Sequence, residues 1–198
     1  MKPIILASTS KYRRKILTDC GIPFQAIAPD FDEENYKQSN LNAYELCEQL
    51  AVQKAKSLKN KFPDRIIVGS DQLVYFNSQI LGKAHTPEKA IEQLLMLSGH
   101  SHELLTALSV IQGEQELSAL VKTKMKMRPL TKKQAEAIVT RDQTWDCAGS
   151  YKLEKTGITL FEEIECPDHT AIIGLPVIKL CQFLSELDVA FPFITPAH

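Results

Sequence analysis

Residues 3–17 place hydroxyl and guanidinium groups at one corner of the chain. The apolar run at residues 4–6 predicts a short buried β-strand, and a helical pattern begins a few residues after it. The polar side chains of this corner are Ser8, Thr9, Ser10, Arg13 and Arg14. Because the first N–H groups of a helix lack internal partners and carry the positive end of the helix dipole, the corner favours phosphate. The alternative is that Ser10 only caps the helix and that the arginines form a solvated face.

A second candidate is Asp71, which lies inside an otherwise apolar strand. Two apolar runs within residues 65–76 are interrupted by the sequence GSDQ at residues 69–72. Burying an isolated charge costs on the order of several kcal/mol unless the group is hydrogen-bonded, paired or metal-bound. Asp71 therefore indicates a functional carboxylate. A hairpin turn predicted at residues 77–78 returns Lys83 towards Asp71 on the partner strand.

A third group of candidates is acidic. Four closely spaced carboxylates follow Pro29: Asp30, Asp32, Glu33 and Glu34. Like charges this close repel each other unless solvent or a cation screens them. The segment is therefore either a solvated loop or a source of cation ligands.

Local signals predict the elements that must position these residues. Capping boxes at residues 42–45 and 131–134 begin two helices, and Thr-Pro-Glu at residues 86–88 begins a third. The first of these helices carries Lys54. Strands are predicted at residues 24–28, 65–76, 103–111, 116–127 and 158–164, and a last helix at residues 175–187. Early alternation of strands and helices with an antiparallel section in the middle predicts an α/β protein with a mixed sheet and a cleft.

Composition excludes several classes of protein. The chain has 198 residues, of which 44% are hydrophobic and 24% charged, as is typical of a globular protein with a full core. A net charge of −1 gives no global basic field for nucleic acid, and we interpret the alternating Lys122, Lys124 and Lys126 as a solvated strand face. Gly82-Lys83 is not a Walker loop, and no GxGxxG occurs. Any phosphate site must be local.

The cysteines and the apolar segments predict a cytoplasmic protein. The five cysteines are scattered and form no Cys-x-x-Cys, which favours reduced thiols. The amino-terminal apolar run is too short for a signal peptide, and no run approaches the ~20 residues of a membrane-spanning helix. The histidines show no metal-ligand spacing, and we expect them to be surface or core residues.

Several short motifs, taken in order and spacing, resemble the Maf-like nucleotide pyrophosphatases. They are LASTSKYRR from Leu6, DE at Asp32-Glu33, QKA at Gln53 to Ala55, GSDQ at Gly69 to Gln72, GK at Gly82-Lys83, CAGSYKLE at Cys147 to Glu154, GITLFE at Gly157 to Glu162 and GLP at Gly174 to Pro176. The family usually has proline near the position of Lys11. The resemblance runs from the first strand to the last helix.

The resemblance implies one domain over residues 1–198, whose two lobes share a sheet and hold the substrate in a cleft, as in the inosine-triphosphate pyrophosphatase group. The implied activity is hydrolysis of a nucleoside triphosphate to the monophosphate and pyrophosphate with a divalent cation, Mg²⁺ or Mn²⁺. Asp71 corresponds to the proton acceptor that orients water, and Glu33 and Asp71 to metal ligands. The implied phosphate contacts are Ser8, Ser10, Arg13, Arg14, Lys54 and Lys83.

Three positions predict which base is bound. Gln72 and Glu154 resemble the branch of the family that prefers 7-methyl-GTP, whereas the dTTP and UTP branch usually has threonine and glutamine there. A carboxylate can accept from the adjacent N1–H and N2–H₂ donors of guanine, and methylation at N7 adds a positive charge. Tyr12, where the branch usually has tryptophan, can stack on the electron-poor ring. The alternative is that Glu154 is a surface acid and Tyr12 a core ring.

Two other functions stay open at this point. One is a dTTP or UTP pyrophosphatase of the same family, and the other is a nucleotide-sensing regulator of septum formation. We expect a small-molecule substrate and neither nucleic acid nor membrane as a partner. The oligomeric state is open, with a homodimer among the alternatives.

Overall fold

A computed structural model describes residues 3–33, 36 and 40–189. In this part of the chain the strands are β1 (Ile4–Ala7), β2 (Phe24–Ile27), β3 (Ile67–Phe76), β4 (Gln79–Leu81), β5 (Ser101–Gln112), β6 (Gln115–Met127) and β7 (Phe161–Glu165). The helices are α1 (Lys11–Asp19), α2 (Ala43–Lys56), α3 (Pro87–Leu97), α4 (Lys132–Asp142), α5 (His169–Ile173) and α6 (Val177–Glu186). Short 3₁₀ helices occupy Thr144–Asp146 and Thr156–Leu160.

The described strands form one mixed sheet in the order β2-β1-β3-β5-β6-β7, and β4 pairs with β3. Strand β1 is parallel to β2 and to β3, whereas β4 is antiparallel to β3 and β7 is antiparallel to β6. The four residues of β1 are all fully buried, as expected for a strand between parallel neighbours with both faces covered. The predicted α/β class with a mixed sheet is confirmed.

The predicted helix starts are confirmed at three positions. Capping boxes join Asn42 to Glu45 and Thr131 to Gln134, and Thr86 caps α3 with proline at the first helical positions. One strand prediction is wrong in part. Residues 156–160 form a 3₁₀ helix, and β7 begins only at residue 161.

The described chain forms two compact units. The first takes in the described residues of 1–71, 106–121 and 168–198, and the second those of 72–105 and 122–167. Strands β3, β5 and β6 have residues in both units.

In the first unit the alternating side chains of β1 enter two different apolar clusters. Ile4 and Leu6 pack with Leu17 of α1 and with residues of α6, among them Leu180. Ile5 and Ala7 face the other way and pack in a cluster with Ala55 of α2. Because successive side chains of a strand point to opposite faces, α2 covers one face of the sheet, while α1 and α6 cover the other.

The second unit has an aromatic cluster in its core. The Tyr151 and Phe161 rings meet edge to face with centroids 5.0 Å apart, and the His102 ring lies 5.6 Å from Tyr151. His102 Nε2 and the Tyr151 hydroxyl are 2.9 Å apart, and Tyr151 donates to Met125 Sδ. Burial lowers the pKa of His102 to about 4, so the imidazole is neutral at pH 7. His102 is therefore a core histidine, as predicted.

Two other predictions concern the lysines of β6 and the cysteines. Lys124 and Lys126 of β6 are exposed and pair with Glu165 and Glu162, so this strand face is solvated. The five cysteines are free thiols. Within the described residues, no helix has both the length and the apolar character that crossing a bilayer requires.

Candidate functional site

Ser10 begins α1 and joins it to the end of β1. Its hydroxyl accepts from the backbone N–H of Arg13 over 3.4 Å, and its own N–H donates to the Ser8 hydroxyl over 3.1 Å. Ser8 is 3% exposed. Ser10 therefore caps α1, and the same cap ties the helix start to a second, buried hydroxyl. We call Ser8, Ser10, Arg13 and Arg14 the serine–arginine corner.

The two arginines of this corner differ. Arg13 is half-buried; its Nε donates to the carbonyl of Gly174 over 2.7 Å and its Nη1 to the Ser8 hydroxyl over 3.3 Å. Burial lowers the pKa of the Arg13 guanidinium, while negative charge at Asp71 and Glu33 acts in the opposite direction. Arg14 is exposed and donates to the carbonyl of Thr9 over 3.3 Å. Arg13 is thus the fixed member of the pair.

The carbonyl of Gly174 is the acceptor that fixes Arg13, and the sequence analysis did not assign it to the site. Gly174 ends α5 with a φ of 115°, a conformation that favours glycine. The same carbonyl accepts from the buried Ser70 hydroxyl over 2.9 Å. The GLP motif at residues 174–176 is the sequence signal that could have identified Gly174. A glycine is needed where the backbone must place a carbonyl beside an arginine in this conformation, and such a requirement appears in the sequence as a short motif.

Buried Asp168 positions the segment that carries Gly174. Its Oδ1 accepts from the Thr170 N–H over 3.0 Å and caps α5. Its Oδ2 accepts from the Ile178 N–H over 2.9 Å in the first turn of α6. One carboxylate therefore holds the starts of two successive helices and, between them, the loop of Gly174.

A buried charge cluster forms the second part of the candidate site. Lys54 of α2 is 7% exposed and Asp71 of β3 is 5% exposed. Lys54 Nζ makes a short ion pair with Asp71 Oδ1 and a second ion pair of 3.2 Å with Glu33 Oε2. Asp71 is therefore a buried and paired carboxylate, and Glu33, from the acidic segment, shares its cation.

Cys47 lies beside this cluster on α2. It is fully buried and donates its thiol hydrogen to the backbone carbonyl of Asp71 over 3.6 Å. Burial, with a further contribution from Asp71, raises the pKa of the Cys47 thiol well above its usual range. The neutral thiol adds no charge to the cluster, so Cys47 is a packing residue.

Gly69 brings α2 and β3 close enough for Lys54 to reach Asp71. A Cβ at position 69 would lie 2.1 Å from the carbonyl oxygen of Ala51 and 2.8 Å from the backbone nitrogen of Ala55. The strand and the helix therefore touch backbone to backbone at this residue, one turn from Lys54. The glycine of the GSDQ motif allows α2 to pack closely on β3. This close packing lets Lys54 reach Asp71, two positions after the glycine.

The carboxylates of Glu33 and Asp71 fit a hard divalent cation in their chemistry. Both lie against the same Lys54 nitrogen, and Mg²⁺ is commonly held by one or two carboxylates together with substrate phosphates and water. Among the described residues no group of three or more His, Cys, Asp or Glu side chains could hold a metal by itself. The assignment of Glu33 and Asp71 as metal ligands stays a prediction.

Lys83 belongs to the second unit, where it follows the predicted hairpin. Asn77 and Ser78 turn the hairpin with φ values of 47° and 62°, as the two-residue turn requires. Strand β4 ends at residue 81, and the exposed Lys83 pairs through its backbone with Ala148. The structure therefore joins the GK motif to the CAGSYKLE motif.

Glu154 also belongs to the second unit and lies in an exposed turn. The two ends of this turn are held by the contacts of Lys152 and Gly157. The turn begins at buried Lys152, whose Nζ donates to the Gln143 carbonyl over 2.6 Å and pairs with Asp146 over 2.6 Å. A Cβ at Gly157 would lie 2.5 Å from the Lys152 carbonyl oxygen, so the far end of the turn packs directly on its start. Lys152, which supports the turn, was not among the residues predicted for the site.

The other two residues predicted to contact the base are half-buried. Tyr12 of α1 carries the Lys11 ammonium 5.1 Å from its ring centroid, and Gln72 follows Asp71 on β3. Their roles, like that of Glu154, stay predictions. In its first unit the structure brings together the serine–arginine corner, Lys54, Glu33 and Asp71.

A model of the family "Maf-like protein" matches residues 3–187 of the chain. The chain belongs to this family. The match begins at the first residue of the described structure and ends just beyond α6, so it covers both units of the Maf-like chain.

Several similar curated proteins carry the same name. A protein of Bdellovibrio bacteriovorus named "7-methyl-GTP pyrophosphatase" is 47% identical over 188 residues, covering 95% of this chain and 98% of its own. Proteins with the same name from Pseudomonas savastanoi pv. phaseolicola and Pseudomonas aeruginosa are 40% and 38% identical, each covering 97% of this chain and all of the relative. A solved HAM1 protein from Coxiella burnetii covers 96% of this Maf-like chain and 100% of its own at 14% identity with a TM-score of 0.48, a likeness that carries no argument here.

Proposed function

We propose that this Maf-like protein hydrolyses a nucleoside triphosphate to the monophosphate and pyrophosphate, and that 7-methyl-GTP is its preferred substrate. The observation that carries the proposal is the buried cluster of Asp71, Lys54 and Glu33 in the same unit as the serine–arginine corner. The names of the full-length relatives support the choice of substrate.

Asp71 is the proposed general base. Its carboxylate is buried, so it can accept a proton from a water molecule held beside it without competition from bulk solvent. Lys54 pairs with Asp71 in the structure and can turn its ammonium to a phosphate oxygen when substrate arrives. Glu33, which is more exposed than Asp71, pairs with the same ammonium.

Glu33 and Asp71 are the residues that would hold Mg²⁺ or Mn²⁺. A divalent cation at this position would supply neutralisation of the negative charge on the polyphosphate. The remaining ligands of such a cation would come from the phosphates and from water, in keeping with the two carboxylates that the cluster offers.

The serine–arginine corner is the proposed phosphate-binding element. Arg13 uses Nε and Nη1 for its fixed contacts, so its remaining guanidinium hydrogens are oriented before a ligand arrives. Ser8, Ser10 and Arg14 surround the same helix start. We further propose that Lys54 and Lys83 contact the phosphates as point charges.

Glu154 is the proposed reader of the base. An ionised carboxylate accepts from the N1–H and N2–H₂ groups of guanine together, and it attracts the positive charge of an N7-methylated purine. Thymine and uracil would set two carbonyl oxygens beside the same carboxylate. The exposed turn of Glu154, held by Lys152, supports this assignment, and Tyr12 and Gln72 complete the proposed set.

The test is pyrophosphate release from 7-methyl-GTP, GTP, dTTP and UTP at one fixed metal concentration, with kcat/KM as the readout. We expect 7-methyl-GTP to give the highest value, excess chelator to stop the reaction, and Asp71→Asn to lower kcat by ~10²–10⁴-fold. Circular dichroism of Asp71→Asn serves as the control for folding.

Each part of the proposal has its own contradicting result. A parent enzyme that favours dTTP or UTP would overturn the substrate and keep the hydrolase. Full activity in chelator would remove the cation from the reaction, and a parental rate in Asp71→Asn would remove the base.

We also propose a cytoplasmic location. The support is the set of five free cysteines, since reduced thiols are typical of the cytosol. The near-zero net charge supports a small-molecule substrate over nucleic acid.

A further inference from the structure

Gln93 of α3 joins two loops of the second unit through its side-chain amide. Its Nε2 donates to the carbonyl of Gly82 over 3.0 Å, and its Oε1 accepts from the Ser150 hydroxyl over 2.6 Å. The amide thus acts as a donor at one loop and an acceptor at the other. Neither a carboxylate nor an apolar side chain of the same length can do both.

The loops that Gln93 joins carry residues of the proposed site. Gly82 immediately precedes Lys83, and Ser150 lies in the CAGSYKLE segment that leads to Glu154. The backbone pairing of Lys83 with Ala148 is a second tie between the same two loops. Gln93 therefore holds the backbone carbonyl of the residue directly before Lys83.

The loop at Ser150 needs such a tie. Ser150 has a φ of 60° in the left-handed region, which a residue with a Cβ adopts only when its surroundings hold it there. Gly149 has a φ of 71°, and a Cβ there would lie 2.8 Å from the Tyr151 ring and 3.1 Å from Val74. The loop packs tightly against Tyr151 and Val74 at Gly149, and Gln93 of α3 holds it at Ser150.

We propose that Gln93 is a positioning residue for phosphate binding, acting through Lys83; the proposal rests on the proposed function in that Lys83 contacts the triphosphate. Gln93 does not touch the substrate. It holds the carbonyl of Gly82, and with it the backbone from which the Lys83 side chain extends. Because the amide of Gln93 contacts Gly82 and Ser150, we expect its loss to act on binding and to leave the chemical step unchanged.

The experiment measures KM and kcat for 7-methyl-GTP, and Kd for its non-hydrolysable α,β-methylene analogue, in Gln93→Met, Lys83→Ala and the double variant. We expect Gln93→Met to raise KM and Kd by about tenfold with kcat within about twofold of the parent. We expect the double variant to match Lys83→Ala alone, because the tie has no effect once the lysine is gone. Gln79→Met, the same substitution at an exposed position of β4, is the control and should leave Kd unchanged.

Ser150→Ala keeps the test decisive if Gln93→Met folds poorly. It removes only one of the two amide contacts and should raise Kd in the same direction by a smaller factor. The positioning role would be overturned if the double variant raised Kd by the product of the factors of Gln93→Met and Lys83→Ala. A parental Kd in Gln93→Met or in Lys83→Ala would also overturn it. A parent that binds the analogue but hydrolyses no nucleotide would overturn the proposed hydrolase, while the Kd comparison would still decide the role of Gln93.

Discussion

Lys54 shows at the scale of a single residue how much stability a site can place at risk. Its ammonium is buried between Asp71 and Glu33, so removing it leaves the buried Asp71 carboxylate without its ion-pair partner. Breaking a buried ion pair in this way is strongly destabilising, whereas removing both charges together is much less so.

We predict that Lys54→Met lowers the free energy of unfolding by about 3–5 kcal/mol, and that Lys54→Met/Asp71→Asn regains much of this loss while staying inactive. Urea unfolding followed by circular dichroism measures both values. Lys56→Met is the matched control on the same helix, because the Lys56 pair with Glu116 is partly exposed and should be worth at most ~1 kcal/mol. Equal losses for Lys54→Met and Lys56→Met would show that the buried pair is not stabilising.

His102 gives the second unit a dependence of its stability on pH. The pKa of the folded imidazole is about 4, below its ordinary value of 6.5, so the unfolded chain binds more protons between these two pH values. The stabilisation is complete above pH 6.5 and is lost as the pH falls towards 4.

We predict that this loss amounts to about 3 kcal/mol between pH 7 and pH 4, since one unit of pKa difference corresponds to ~1.4 kcal/mol. His102→Gln, which cannot titrate, should be less stable than the parent at pH 7 and should lose less stability on acidification. Urea unfolding at intervals between pH 7 and pH 4 gives the two curves. Parallel curves would mean that His102 is not the group responsible.

At the scale of elements, the distance between α2 and β3 decides whether the charge cluster exists. Gly69 has no Cβ, and the carbonyl of Ala51 occupies the space that a Cβ would need. Any side chain at this position must push the helix from the strand, and Lys54 moves with the helix.

We predict that Gly69→Ala destabilises the protein by ~1–3 kcal/mol and lowers kcat by more than this loss of folded protein explains. Thermal unfolding and steady-state kinetics at a temperature where the variant is fully folded separate the two effects. Gly82→Ala is the matched control for stability, because a Cβ at residue 82 meets no atom within 4 Å. A Gly69→Ala variant with parental kcat would show that the packing contact does not position Lys54.

Sequence alone could predict features that are local and could not predict contacts that depend on packing. The helix starts at Asn42, Thr86 and Thr131 were predictable because a cap is made by residues within one turn of each other. Asp71 could be singled out because its charge conflicts with the apolar strand around it. Its partner could not, because the ion pair with Lys54 depends on how α2 packs on β3.

The predicted strand at residues 158–164 was wrong in its first three residues for a related reason. Its apolar residues suit a strand, but the close packing of Gly157 on the Lys152 carbonyl bends the chain into a 3₁₀ helix first. The contact of Gly174 with Arg13 could not be predicted, because the two residues lie 161 positions apart and no residue near Gly174 indicates that they meet. Contacts of this kind belong to the whole molecule.

At the scale of the whole molecule, the first unit is assembled from three separate segments of the chain. Lys54 and Asp71 lie 17 residues apart, whereas Arg13 and its acceptor Gly174 lie 161 residues apart. The ribosome synthesises a chain from its amino end, and regions of the chain begin to fold as they emerge. A nascent chain arrested before Gly174 therefore already contains both members of the charge pair, yet its Arg13 has no anchor. All four residues of the serine–arginine corner are translated long before Gly174, so the contact that fixes the corner forms only after most of this sequence has been made.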